Sequence, residues 1–277
     1  MNLSVSLYSM HTLLVSGEMS VCDVIEFFHQ HGVEYVELLD IYLPTDTDKA
    51  TALETIARLG MKVSSYSITN EFVLVTDDER KTQIQYLIDS CNTAKYFGTS
   101  TIRVFAGNIV PESLDDGKTF EACESLIVDS FRQCVGHAEK HSITYCLENH
   151  GMLAGKASQV RSILDAVGSP ALKITADTGN FKLVGDDSYA AVKSLLPDIG
   201  FMHFKDIKRT EDGVWAGLDG NNYSGTILGE GDVDLAGIAV LLRDYGYSGC
   251  VSIEYEAQEV DCAKAVAASI AYVQGIM

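Results

Sequence analysis

Short apolar or β-branched runs alternate with longer amphipathic stretches along the whole of this 277-residue chain. The short runs fall at 3–8, 34–39, 62–68, 100–106, 143–149, 173–178, 200–206 and 250–256. Their length and composition predict strands. Between them, at 18–32, 47–60, 77–98, 118–141, 157–168, 187–196, 233–246 and 261–275, apolar residues recur at helical spacing. Eight strand–helix repeats predict βαβ units and parallel pairing. The expected fold is a single-domain (β/α)8 TIM barrel over residues 1–277, a length close to the roughly 250 residues such barrels take. Alternation by itself does not separate a closed barrel from an open sheet.

Local signals support these boundaries. Ser20 with Asp23, and Thr76 with Glu79, have the spacing of helix N-terminal caps, the second as a capping box. Gly32, Gly60, Gly98, Gly168 and Gly246 stand at or just past helix ends, where a left-handed residue is wanted. The longest break is 207–232, rich in Gly, Asn and Asp and holding the only tryptophan, Trp215. A long segment after the seventh strand suits a lid over the catalytic face; an exposed insertion or a small hairpin suits the sequence equally well.

Composition narrows the classes of function. Thirty-nine acidic against 20 basic residues give a net charge of −19, which repels phosphate backbones and anionic lipid. Neither nucleic acid nor a membrane is therefore expected as partner. The seven cysteines are scattered, with no C-x-x-C spacing, and read as reduced thiols of a cytoplasmic protein. No signal or membrane-spanning segment is evident.

The candidate chemistry sits at four predicted strand ends. Glu148, Asp177, His203 and Glu254 each close a strand-like run and precede a polar or glycine break. In a parallel barrel these ends share one face, and that face carries the chemistry. Singly, each residue has a plainer reading. Asp177 before Thr178 and Gly179 suits a turn or cap, His203 a satisfied core group, and Glu254 a solvent-facing position. Jointly, three carboxylates pointing inward would repel one another, and a divalent cation is the simplest compensation. Oxygen-rich ligation with one imidazole suits Mn²⁺, Mg²⁺ or Co²⁺, with Zn²⁺ also admissible. The stretch Gly229–Asp234 is acidic and lacks a P-loop lysine, so it reads as a tight turn with Asp232 or Asp234 as N-cap.

Taken in order, Leu147–Gly151, Asp177–Asn180, His203–Asp206, Gly229–Asp234 and Ile253–Glu254 resemble the motifs of the xylose isomerase-like TIM-barrel superfamily of sugar isomerases and epimerases, over essentially the whole chain. The resemblance implies one divalent metal on Glu148, Asp177, His203 and Glu254, with Glu148 and Glu254 also forming the acid/base pair. It further implies substrate contacts from Lys205 and Arg209, the last brought in by the 207–232 segment, with Asp206 orienting its neighbours; a solvated loop arginine is the plainer reading of Arg209, and His150, two residues beyond Glu148, suits either a hydrogen bond to substrate or a cap on the next helix. The implied reaction is isomerisation or epimerisation of a small sugar, ketose or polyol-derived ketone through a metal-stabilised enediolate. A dehydratase acting on an inosose would use the same site. Type IV apurinic endonucleases share the barrel but carry a histidine where Asn180 stands. A non-catalytic sugar-binding protein is the third class. The expected partner is a small carbohydrate, and homo-oligomerisation is left open.

Overall fold

The computed structural model describes residues 1–107, 119–257 and 261–277. Eight parallel strands form a nearly closed barrel: β1 (Asn2–Ser6), β2 (Tyr35–Leu39), β3 (Lys62–Ser67), β4 (Thr101–Val104), β5 (Thr144–Glu148), β6 (Leu172–Asp177), β7 (Ile199–Phe204) and, after a small sheet numbered β8–β10 below, β11 (Cys250–Ile253). Hydrogen-bonded neighbours run β3-β2-β1-β11-β7-β6-β5-β4, so the strands follow chain order around the barrel. The remaining seam is bridged by Ile68 N–H to Arg103 O at 3.0 Å and Arg103 N–H to Ser65 Oγ at 3.2 Å.

The predicted helices form the outer layer: α2 (Val21–Gln30), α3 (Asp46–Leu59), α4 (Asp77–Tyr96), α5 (Phe120–His141), α6 (Ala157–Val167), α8 (Ser188–Leu195), α9 (Leu235–Tyr245) and α10 (Cys262–Ile276). Position 118, the first residue of the helix expected at 118–141, lies outside the described residues. Each helix turns an apolar stripe to the strands, as Val24, Ile25 and Phe28 do on α2. Ser20 and Thr76 cap α2 and α4, each in a reciprocal capping box with Asp23 and Glu79. Gly60, Gly168 and Gly246 close α3, α6 and α9 in the left-handed conformation. No helix among the described residues is long and apolar enough to cross a membrane.

Three features lie outside the simple repeat. A short helix, α1 (His11–Ser16), follows β1 through a turn at Leu7–Met10, and α7 (Thr178–Leu183) starts directly at Asp177. The 207–232 segment is not a featureless loop. It folds as an antiparallel sheet in the order β8 (Ile207–Arg209), β10 (Asn222–Gly225), β9 (Trp215–Ala216). Asp206 accepts from the N–H groups of Gly229, Gly231 and Val233 and so holds the turn that leads out of this sheet. Asp234 is the N-cap of α9, accepting from Gly237 N–H, while Asp232 accepts from Arg209 N–H. The sheet docks tightly on the chain beyond β11: a Cβ at Gly225 would fall 1.6 Å from the Glu256 carbonyl oxygen, so a side chain there would force the two apart.

Candidate metal centre and active site

Parallel register delivers the four strand-end residues to one place. Asp177 on β6 pairs level with His203 on β7, Glu148 ends β5, and Glu254 follows β11 with its N–H on Phe204 O. All four are buried, and one ligand atom from each lies within 4.8 Å of the others. His203 Nδ1 is 3.7 Å from Glu148 Oε2, 3.7 Å from Asp177 Oδ2 and 3.6 Å from Glu254 Oε1.

Each ligand is held by its other polar atom. Asp177 Oδ1 accepts from Gly179 and Asn180 N–H, capping α7. Glu148 Oε1 accepts from Asn180 Nδ2 at 3.1 Å. His203 Nε2 faces Glu37 Oε1 at 3.1 Å, and Glu254 Oε2 lies 3.5 Å from Lys205 Nζ. The inward atoms Glu148 Oε2, Asp177 Oδ2 and His203 Nδ1 are buried without a hydrogen-bond partner. Orphaned buried acceptors of this kind are costly, and their convergence fits a divalent cation. The plainer reading of Asp177 as a cap is therefore also right, because one carboxylate oxygen serves each purpose.

The electrostatics express the same conflict. Burial pushes the Glu148 carboxyl up to about 8; Glu254 and Asp177 add to this, while His203 and Arg103 oppose it. Burial also raises Asp177, but Lys205 and His203 more than offset it and hold it below the usual carboxylate range. Burial lowers His203, yet Glu37, Glu254 and Glu148 outweigh that and raise it well above the ordinary imidazole value. Glu37 is likewise raised by burial, but His203, Arg103 and the Ser67 hydroxyl bring it down to about 2. It also accepts from Ser67 at 2.5 Å and Ser252 at 2.7 Å.

A cavity of about 470 Å³ opens above the cluster, and Glu148, Glu254, His150 and Lys205 line it. His150 is half-buried, its ring 4.4 Å from that of Phe105, and its Nδ1 is buried without a partner. Burial first, then Lys205 and Arg103, push this imidazole down to about 3, so it is neutral at physiological pH. Lys205 is buried between Glu254 and Glu256, and its backbone is tied to the Thr178 hydroxyl at both N–H and C=O. Burial would lower its pKa, but Glu256, Asp177 and Glu254 raise it well above normal.

Arg209 stands elsewhere. It is exposed at the end of β8 and does not line this cavity. A different arginine does: Arg103 is buried on β4, with Nε 3.2 Å from Glu148 Oε2 and its guanidinium 4.1 Å from the Phe105 ring centroid. Arg103, Glu37, Glu256 and Tyr8 carry no motif. Parity was the available signal for the first two. Arg103 lies between Ile102 and Val104, and Glu37 between Val36 and Leu38, so a barrel that turns the apolar neighbours to its helices turns the charge inward.

Solved structures of the same fold align over nearly the whole chain. The probable 3-DHS dehydratase AsbF involved in petrobactin synthesis, from Bacillus anthracis, is 22% identical, with a TM-score of 0.79 and 99% of each chain covered. The zinc-bound IolI protein is 17% identical, with a TM-score of 0.79 over 100% of this chain and 98% of its own. D-psicose 3-epimerase from Clostridium cellulolyticum, solved with D-tagatose, is 15% identical, with a TM-score of 0.77 over 100% and 99%. At such identities the likeness establishes the fold alone. A comparison with curated proteins gives no significant match. The xylose isomerase-like TIM barrel family model matches residues 25–275, and the chain belongs to that family.

Proposed function

We propose that this protein is a divalent-metal-dependent isomerase or epimerase of a small sugar, ketose or polyol-derived ketone. The observation that carries the reading is the pair Glu148 and Glu254. They come from β5 and the end of β11, with Asp177 and His203 between them around the barrel, and both line the cavity. Glu148, Asp177, His203 and Glu254 would hold the metal. A cation there would polarise a carbonyl and a neighbouring hydroxyl and make the intervening C–H more acidic. Glu148 Oε1 and Glu254 Oε2 are the carboxylate oxygens turned away from the cluster centre. In this reading one removes the proton from one face of the substrate and the other returns it on the opposite face. Asn180 Nδ2 and Lys205 Nζ hold these two oxygens in place. His150 and Lys205 orient substrate oxygens, and Arg209 joins them only if the small sheet moves inward.

The test is a screen of ketoses, ketose phosphates and inososes with Mn²⁺, with products identified by NMR in D₂O. Glu148→Gln and Glu254→Gln should each abolish turnover even in excess metal. With the unaltered protein, deuterium should enter the product at the carbon that inverts or becomes the carbonyl. Turnover without solvent exchange points instead to a hydride shift and sinks the acid/base assignment. A dehydratase is the second reading. It is favoured by the unpartnered Nδ1 of His150, which lines the cavity and can hydrogen-bond a β-hydroxyl of the substrate. A product lacking one water, with His150→Gln slowing its release from substrate, selects that reading. One metal ion per chain separates both from a trinuclear nuclease.

A further inference from the structure

Two cavities meet at the barrel rim, and their walls ask for different chemistry. The cavity over the strand-end cluster presents buried charge and polar atoms, with the Arg103–Glu148 ion pair and the unpartnered His150 Nδ1 among them. The second cavity, about 250 Å³, opens between α1 and the small sheet. Among the described residues it is lined by Tyr8, His11 and Thr12 at and just before α1, by Val214 and Trp215 at the small sheet, and by Ser9 and Cys262.

Several of the polar groups around this second cavity are engaged with the protein. Ser9 Oγ donates to Ile253 O and accepts from Tyr255 N–H, both at 3.0 Å. His11 Nδ1 is 2.8 Å from the Tyr42 hydroxyl, and Ser224 Oγ is 3.2 Å from Thr210 Oγ1. Glu256 is held by the Lys205 ammonium and by the Tyr8 hydroxyl at 3.4 Å. Cys262 Sγ donates to Ser9 O at 3.4 Å. What faces the cavity is mainly ring and hydrocarbon. The Tyr8 and His11 rings stack at 5.1 Å and 26°, with the Trp215 indole and a 57% exposed Val214 across from them. An occupant that needs no hydrogen bonds and covers these surfaces gains burial without leaving polar groups stranded. Aromatic walls favour a planar ring, and a cavity of about 150 Å³ already admits benzene.

Tyr8 and Glu256 line both cavities, so the two lie side by side, with the Tyr8–Glu256 contact at their border. We infer that the substrate is bipartite: an oxygen-rich head beside Glu148 and Glu254, and an aromatic or similarly planar apolar group attached to it, seated between Tyr8–His11 and Trp215. The head rests on the function proposed above, whereas the ring seat rests on the second cavity alone.

Trp215 is the chain's only tryptophan, so its fluorescence reads occupancy of the seat directly. The metal-loaded protein is titrated with phenol, methyl β-D-glucopyranoside and phenyl β-D-glucopyranoside. The titrations are repeated without metal and with Thr12→Phe, which fills the cavity from an exposed position on α1. Phenol should shift Trp215 emission with or without metal, and Thr12→Phe should remove the shift. The phenyl glucoside should bind about tenfold tighter than the methyl glucoside, and Thr12→Phe should erase that preference. Unchanged Trp215 emission with phenol, equal binding of the two glucosides, or a phenyl preference that survives Thr12→Phe would each overturn the inference. A phenol response that persists in a protein whose calorimetric titration shows no Mn²⁺ binding supports the ring seat and counts against the metal-site function.

Discussion

At the scale of single residues, the site depends on orienting partners as much as on ligands. Glu37 shows this most clearly. Its carboxylate faces His203 Nε2 and would keep the proton there, leaving Nδ1 to meet a metal, and a carboxylate on the far nitrogen strengthens such a donor. Replacing Glu37 by Gln keeps the volume but removes the charge. Metal affinity should fall about 10–100-fold, the usual cost of losing such a partner. Calorimetric titration with Mn²⁺ and Zn²⁺ measures it, and a circular dichroism spectrum of the metal-free variant checks that the barrel is intact. Unchanged affinity would reduce Glu37 to a packing residue. The strand-end cluster was legible in the sequence because each of its four residues closes a strand and meets a polar break. Glu37 and Arg103 were not, because they sit inside strands, where an isolated charge in an apolar run gives no break to mark it. Arg209 was placed by motif spacing, and spacing does not say which way a side chain on an edge sheet points.

At the scale of elements, the long periodic segments were legible and the short ones were not. The eight barrel strands follow from short apolar or β-branched runs, and the eight outer helices from a period of 3.6 with caps at their ends. α1 and α7 are six residues each, less than two turns, too short to show a period. The small sheet is polar on its exposed side and held by Asp206, a tertiary contact invisible to local pattern. Between elements, the turn before β7 is fastened by Asp198, which pairs with Arg161 of α6 and with Lys173 of β6 at 3.3 Å. Partial burial pushes the Asp198 carboxyl up, but the two cations more than offset it and hold it below the usual range. A depressed folded-state pKa stabilises the protein above the unfolded value of about 3.9 and stops doing so as pH falls through the folded value. Asp198→Asn should therefore cost about 0.5–1 kcal/mol in urea melts at pH 7, a modest figure because the pair is partly solvated. The difference should shrink as pH falls below the unfolded value of about 3.9 and through the lower folded value. A deficit that persists at low pH would mean that the asparagine disturbs packing instead.

At the scale of the molecule, eight repeats were enough to expect a barrel, and closure is settled by the β3–β4 bridge, which no single repeat encodes. Closure brings three carboxylates and an imidazole to one buried point inside a chain of net charge −19. Metal binding should then be coupled to stability, because only the folded barrel assembles the four ligands. At a free metal concentration 1,000-fold above the dissociation constant, the gain is about 4 kcal/mol. For a domain of this size that corresponds to a rise in Tm on the order of 10 °C, reversed by EDTA. An acidic surface also gathers cations without a site, so the rise alone is not diagnostic. Two features separate the contributions. Surface accumulation is screened by salt over about 8 Å at physiological ionic strength, whereas a buried site is far less affected. Asp177→Asn keeps an oxygen to cap α7 at Gly179 and Asn180 but removes a charged ligand. The rise should survive added NaCl in the unaltered protein and be largely lost in Asp177→Asn. If the variant shows the full rise, or salt abolishes the rise in the unaltered protein, the cations are on the surface and the strand-end cluster is not the centre that binds them.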